Sequence, residues 1–415
     1  MSSVIVSVMP FAGHVAPTTG VVTELLARGH SVRVYTGAKY AETFARLGAR
    51  VVPWSLAPDF DETNLPAAFP QLGRRGPRGL LDNLEHLFIR SAVGQARDLV
   101  AEIAREPADI LVGDVMSLGT RLAAELTGLP WATLSIVPLS MPSVDLPPGG
   151  LGLQPGFGGF GALRDGLLRG IVRRATGRVQ RAYRSVRDEL ALPAGAQRFE
   201  LAWYSPMLVI ASGTPALEYP RSDLPPTVHF VGRLPAAARP SSPLPEWWPE
   251  LLATTKPVVL VTQGTFNTDT TELIQPALAA LADEDAFVIA TADLPFAAPA
   301  NTHTAAYIPF SELLPLTDVV ITNGGWGGVL ESLANGIPLI VAGGDLDKPD
   351  IAARVAWSRA GIDLGTGRPT SRAIARAYAA LGESHRERAR GIQSELAGSG
   401  AARAVDLIEQ LIAER

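Results

Sequence analysis

A chain of 415 residues with 47% hydrophobic and 19% charged residues has material for two packed cores, and it lacks the composition of a disordered protein. Its net charge of −5 argues against nucleic-acid binding, which needs a basic stripe to neutralise phosphates. There is no cysteine, which excludes disulfides, thiolate metal sites and a cysteine nucleophile.

The opening run, residues 3–9, is apolar on both faces, as a covered parallel strand requires. It has no basic leader and no small-residue cleavage site, so it reads as a strand rather than a signal peptide. A loop with Phe11, Gly13 and His14 follows, then a helix expected over 17–28 and closed by Gly29. Further strands are expected at 31–35, 109–112, 131–136 and 207–211. Residues 218–250 are rich in proline and read as a linker. The rhythm resumes with strands near 257–262, 286–290, 318–322 and 338–342. A last helix, over 401–413, offers Val405, Ile408, Leu411 and Ile412 as a packing stripe.

The fold class expected is α/β, with two doubly wound Rossmann-like domains facing across a cleft. The first would span 1–217 and the second 251–395, with 396–415 packing near the domain junction. No run of about 18 uninterrupted apolar residues occurs, so no integral membrane association is expected. Nor does any segment read as a strong basic and apolar surface for lipid. The cytoplasm is the expected compartment.

Gly156, Gly158 and Gly161 match the dinucleotide pattern GxGxxG, but no expected strand precedes them and phenylalanines fill two intervening positions. In a chain with 40 glycines this is read as a chance match in a mobile loop. His14 is more informative. It follows the first strand, at the sheet edge where open α/β folds bind ligands, and an imidazole can take a proton near neutral pH. A structural loop histidine fits the same place. Asp114 follows another apolar strand and reaches the same edge, where a carboxylate could fix the imidazole tautomer. A helix N-cap is its structural alternative.

The richest segment is 318–355. Asn323, Gly324, Gly325, Gly327 and Gly328, set around Trp326, let backbone N–H groups approach an anion at a helix start. Glu331, about one turn later, could accept hydrogen bonds from ribose hydroxyls. Asp347 and Lys348 follow the next strand on the same edge and could contact a sugar. Gly264 and Thr265, after the strand that opens the second domain, could complete the cradle.

Together these segments resemble the UDP-glycosyltransferase superfamily, in its bacterial macrolide-glycosyltransferase-like branch. The resemblance runs from Ala12-Gly13-His14 through the TNGGWGG segment to the last helix. It implies the GT-B arrangement, with acceptor mainly on the first domain and donor on the second. His14 matches the family's catalytic base and Asp114 its partner, with Phe11 and Gly13 on the acceptor side. Tyr307, with Ile308 beside it, falls where an aromatic lies against the nucleobase. Glu331 matches the ribose acid, and Asp347 and Lys348 the pair that contacts the donor sugar. Asn323 stands where a histidine is frequent, Gly327 and Gly328 where polar residues are usual, and Lys348 where glutamine is usual. These departures spare the backbone cradle and loosen the identity of nucleotide and sugar.

The implied reaction is a single displacement with inversion, using a UDP- or dTDP-linked hexose as co-substrate and no other cofactor. No metal is expected. Asp-x-Asp spacings occur at Asp59/Asp61, Asp283/Asp285 and Asp345/Asp347, and the last is read as a sugar contact. The acceptor is expected to be an apolar or aromatic small molecule, a natural product, with 61–75 and 142–170 as pocket walls. The chain is expected to act as a monomer or homodimer. A nucleotide-sugar epimerase and a non-catalytic partner protein are the rival readings, and His14 with Asp114 tells against the second.

Overall fold

The computed structural model describes residues 1–74, 76–195, 197–237, 243–264, 269–292 and 298–414. Seven parallel strands make the first sheet: β1 (Ser3–Ser7), β2 (Ser31–Thr36), β3 (Arg50–Pro53), β4 (Ile110–Asp114), β5 (Trp131–Ser135), β6 (Val209–Ser212) and β7 (Val228–Gly232). Their order is β3-β2-β1-β4-β5-β6-β7. Six parallel strands make the second: β8 (Val258–Thr262), β9 (Phe287–Ala290), β10 (Thr302–Thr304), β11 (Val319–Thr322), β12 (Leu339–Val341) and β13 (Gly361–Asp363), ordered β10-β9-β8-β11-β12-β13. Each sheet is covered by helices, so central strands such as β4 and β11 are buried along their whole length. This is the two-domain α/β architecture expected.

Five helices carry the functional argument and are labelled in chain order: α1 (Ala12–Ala27), α2 (Gly158–Ala175), α3 (Trp326–Ala334), α4 (Lys348–Ser358) and α5 (Gly400–Ala413). Helix α1 starts earlier than the expected residue 17, so Gly13 and His14 occupy its first turn rather than a preceding loop. Phe11 is the N-cap in an extended conformation, and the free N–H of Ala12 is taken by Glu62 Oε2 at 2.9 Å. That distant cap leaves no local sequence signal.

Two other expectations change. Residues 218–250 contain β7, an edge strand of the first sheet, where flanking prolines do not interrupt a central ladder. Residues 158–175 are helical rather than a loop. Gly156 and Gly161 serve backbone packing there, since a Cβ on either would collide with the backbone of the other. The last helix, α5, returns to the first domain. Val405, Ile408 and Leu411 join Val21, Val22 and Leu25 of α1 in one core, each worth roughly 1.5–3 kcal/mol of burial. Arg28 closes the contact through Asp406 at 2.6 Å and Glu409 at 2.8 Å.

The domains meet through α3 and α4. Trp326 Nε1 donates to Ser212 Oγ at 2.9 Å, tying the start of α3 to the end of β6. Asp350 of α4 accepts the N–H groups of Gly150 and Gly152, each at 2.6 Å. Arg354 is buried beside Glu218 at 3.2 Å, and donates to the Leu139 carbonyl at 2.9 Å.

Candidate active site

In each sheet the strand order reverses once, between β1 and β4 and between β8 and β11. At such a point neighbouring strands send their chains to opposite sides, which opens a crevice at their C-terminal ends. His14 and Asp114 follow β1 and end β4. Gly264 and Asn323 follow β8 and β11. Both residue groups singled out in the sequence therefore lie at topological switch points.

Asp114 is buried, and its carboxylate is used three ways. Oδ2 accepts Met9 N–H at 3.0 Å and lies 2.7 Å from His14 Nδ1, while Oδ1 accepts Met116 N–H at 3.1 Å. An oxygen already accepting from a backbone amide accepts again at Nδ1, which leaves Nε2 with its lone pair. Nε2 has no hydrogen-bond partner among the described residues. Burial lowers the His14 pKa, but the Asp114 carboxylate and, at longer range, Asp347 and Glu62 outweigh it, so the net shift is upward. A poised base with one open nitrogen results. Phe11 packs on its ring at 5.4 Å and continues to Phe60 and Phe88, which makes an apolar wall beside it. Gly13 is exposed, with open space where a side chain would be.

Asp347 is the N-cap residue of α4 in the other domain, makes no side-chain capping hydrogen bond, and its charge reaches His14. Burial pushes its pKa up, while Lys348 and His14 pull it down. Lys348 Nζ sits 3.1 Å from Asp345, which is largely exposed. The start of α3 adjoins this pair, since a Cβ at Gly324 would lie 3.6 Å from the Lys348 carbonyl oxygen. Gly325 is its N-cap, and around both Gly325 and Gly327 a Cβ would meet nothing within 4 Å. Gly328 is nearly as open, with only Phe310 at 4.0 Å. Unpaired N–H groups at a helix start, with empty space in front, suit a diphosphate. Gly324 differs: its φ is +88°, and a Cβ there would meet Val341 at 2.9 Å.

Other expected contacts are placed differently. The Asn323 amide donates to the Gln263 carbonyl, so it joins the two loops of the switch point instead of pointing at an anion. Gly264, with φ +76°, packs a Cβ position 3.5 Å from Asn323, and Thr265 lies outside the described residues. Tyr307 is 52% exposed, free to meet a ring, whereas Ile308 is 3% exposed and belongs to the second core. Glu331 is held by Arg233 Nη1, at 3.1 Å from Oε1 and 3.0 Å from Oε2. Arg233 and Glu62 were not singled out in the sequence. Each reaches the site from a segment whose own pattern carries no motif.

A family model described as "Erythromycin biosynthesis protein CIII-like, C-terminal domain" matches residues 275–411. The chain is 41% identical to 4'-demethylrebeccamycin synthase of Lentzea aerocolonigenes, over 99% of both chains. Its fold matches the glycotransferase of kitacinnamycin with a TM-score of 0.76 at 21% identity, over 99% of both chains. It also matches glycosyltransferase VinC, solved in complex with dTDP, with a TM-score of 0.68 at 20% identity over 100% of both chains.

Proposed function

Because the chain belongs to the UDP-glycosyltransferase superfamily, in its bacterial macrolide-glycosyltransferase-like branch, and is a glycosyltransferase of the natural-product type that uses nucleotide sugars, we propose that it moves a hexose with inversion and without a metal onto a hydroxyl of an apolar or aromatic small molecule. His14 Nε2 takes the hydroxyl proton as that oxygen attacks the anomeric carbon. The bond from that carbon to the diphosphate oxygen breaks, and the leaving nucleoside diphosphate keeps the electron pair. The α3 N–H groups and helix dipole stabilise its charge. Asp114 orients the imidazole and stabilises the imidazolium. Asp347 and Lys348 hold the sugar, Glu331 the ribose, and Tyr307 the base.

The observation that carries this reading is the His14–Asp114 pair at 2.7 Å, with Nε2 unpartnered and Asp347 acting on it from the other domain. The donor is a pyrimidine diphosphate sugar, UDP- or dTDP-linked; the dTDP found with VinC supports the second. A thermal-shift comparison of UDP- and dTDP-sugars separates them, since a ligand of the native state raises the melting point. The decisive experiment is His14→Ala. Turnover should drop by about 10²–10⁴ with donor affinity retained. Unchanged turnover in the folded variant, or a product that keeps the donor's anomeric configuration by NMR, would sink the mechanism. Activity lost on exhaustive chelation and restored by Mg²⁺ or Mn²⁺ would refute the metal-free part.

A further inference from the structure

Helix α2 turns two unlike faces to its surroundings. Its inner face is anchored by polar contacts. Buried Asp165 accepts the Gly156 N–H at 2.9 Å, and Arg169 donates to the Leu146 carbonyl at 2.7 Å. Its outer face carries Phe160, Leu163, Leu167 and Ile171, which are 91%, 60%, 60% and 64% exposed. At a helical period these four form a single stripe, opposite Asp165 and Val172. Phe157, the extended residue just before the helix, is 80% exposed and stacks on Trp357 of α4 at 6.1 Å. Single exposed apolar residues are ordinary on a protein surface, but an unbroken row along a helix of about 27 Å is not.

The charge around this stripe is specific too. The helix holds four arginines and one aspartate, in a chain whose net charge is −5. By helical spacing Arg174 continues the apolar row at its C-terminal end, while Arg164 borders it and is paired with Asp165 at 2.7 Å. The side chains of Arg173 and Arg174 are exposed and have no hydrogen-bond or ion-pair partner among the described residues. No helix among the described residues is long and apolar enough to cross a membrane.

We propose that α2 docks the enzyme peripherally on an anionic phospholipid surface. The stripe enters the boundary between headgroups and acyl chains, while the arginine stems lie along it and their guanidinium groups meet lipid phosphates. A second copy of the chain fits less well. A two-fold contact through the stripe would enclose Arg174 with no acid on either stripe to pair with it, since the one aspartate of α2, Asp165, is buried against Arg164. The linear sequence hides this surface, because only the packing of Asp165 and Arg169 decides which face turns outward. Docking would also bring the acceptor side near lipid. The segment before α2 carries Gly150 and Gly152, which Asp350 ties to α4 a few residues beyond Asp347. Apolar acceptors partition into lipid, so the enzyme would meet them there. The docking itself depends on neither the sugar nor the acceptor proposed above.

The test is flotation of the full chain with vesicles of phosphatidylcholine alone, and with vesicles that also contain phosphatidylglycerol. Two variants accompany it: Leu163→Ser with Leu167→Ser and Ile171→Ser, and Arg173→Glu with Arg174→Glu. None of these residues is placed in the catalytic or donor machinery; Leu163 and Leu167 fall in the 142–170 stretch expected to wall the acceptor, so the control is an unchanged thermal melt with unchanged dTDP and UDP binding rather than turnover. Binding is expected to the anionic vesicles only, to weaken with added salt, and to fall about tenfold or more in either variant. Absence of binding to anionic vesicles overturns the proposal and leaves the face to a protein partner. So does binding that both variants leave intact. A lipid-free dimer in sedimentation velocity that Leu167→Glu splits assigns the face to a second copy and overturns it as well.

Discussion

His14 and Asp114 stand 100 residues apart in the chain and 2.7 Å apart in space, joined because β1 and β4 are neighbours in the sheet. The carboxylate raises the imidazole above its ordinary value of 6.5 against the opposing effect of burial. A base works in its neutral form, so kcat/KM should fall as pH drops through that raised pKa, on the alkaline side of 6.5. Asp114→Asn removes the raising charge and leaves burial, which lowers the pKa. The acid limb should therefore move to lower pH while the plateau rate falls by about a hundredfold or more. A pH–rate profile checks both. A lower plateau with an unmoved limb would deny Asp114 its role.

Arg233 and Glu331 make a second prediction. One guanidinium nitrogen bridges both carboxylate oxygens, so each keeps a lone pair for a ribose hydroxyl. Both side chains are about one-third exposed, which keeps the pair itself weak. Glu331→Ala should weaken UDP or dTDP binding by about tenfold. Arg233→Ala should cost about threefold, and the double variant no more than Glu331→Ala alone. Calorimetry on the four proteins measures the cycle. Additive losses, or tighter binding by Arg233→Ala, would show that Arg233 does not position Glu331.

The glycines at α3 should separate fold from function. Gly327→Val places its side chain in space that no protein atom occupies, so the melting temperature should hardly change while nucleotide binding is lost. Gly324→Ala meets Val341 and requires a residue at φ +88°, so it should destabilise the fold itself. Asn323→Ala removes the bond to the Gln263 carbonyl and should lower stability by about 0.5–1.5 kcal/mol, with donor affinity falling only as the loop loosens. Normal donor binding by Gly327→Val would place the phosphate elsewhere.

Arg354 should control how firmly the domains hold together. Arg354→Met removes the nearer of two cations beside the buried Glu218 carboxylate and leaves Arg221 at 3.7 Å, at a cost of about 1–3 kcal/mol. Glu218→Gln should cost more, because it takes the acid from both Arg354 and Arg221. Thermal melts of both variants decide it, and an unchanged melting temperature for Arg354→Met would show that the contact contributes nothing.

The central strands were legible in the sequence because they are buried on both faces and so read as apolar runs. β1, β2, β4, β5, β6, β8, β9, β11 and β12 were each expected within a few residues of their observed bounds. The four strands without such a signal, β3, β7, β10 and β13, are the outer strands of the two sheets. A strand at an edge is shorter or partly solvated, so its residues need not be apolar; Thr302–Thr304, half-buried throughout, shows this. The site divides in the same way. His14, Asp114 and the glycines of α3 announced themselves because each follows an apolar strand, and the strand's C-terminal end is where such folds bind ligands. Packing decided the rest. Whether His14 meets Asp114 depends on strand order, which no local pattern encodes. The bond from Glu62 to the start of α1, the hold of Arg233 on Glu331, and the outward face of α2 each join segments far apart in the chain or depend on which side of a helix is covered. Local propensity speaks only for neighbours along the backbone, and these relationships belong to neighbours in space.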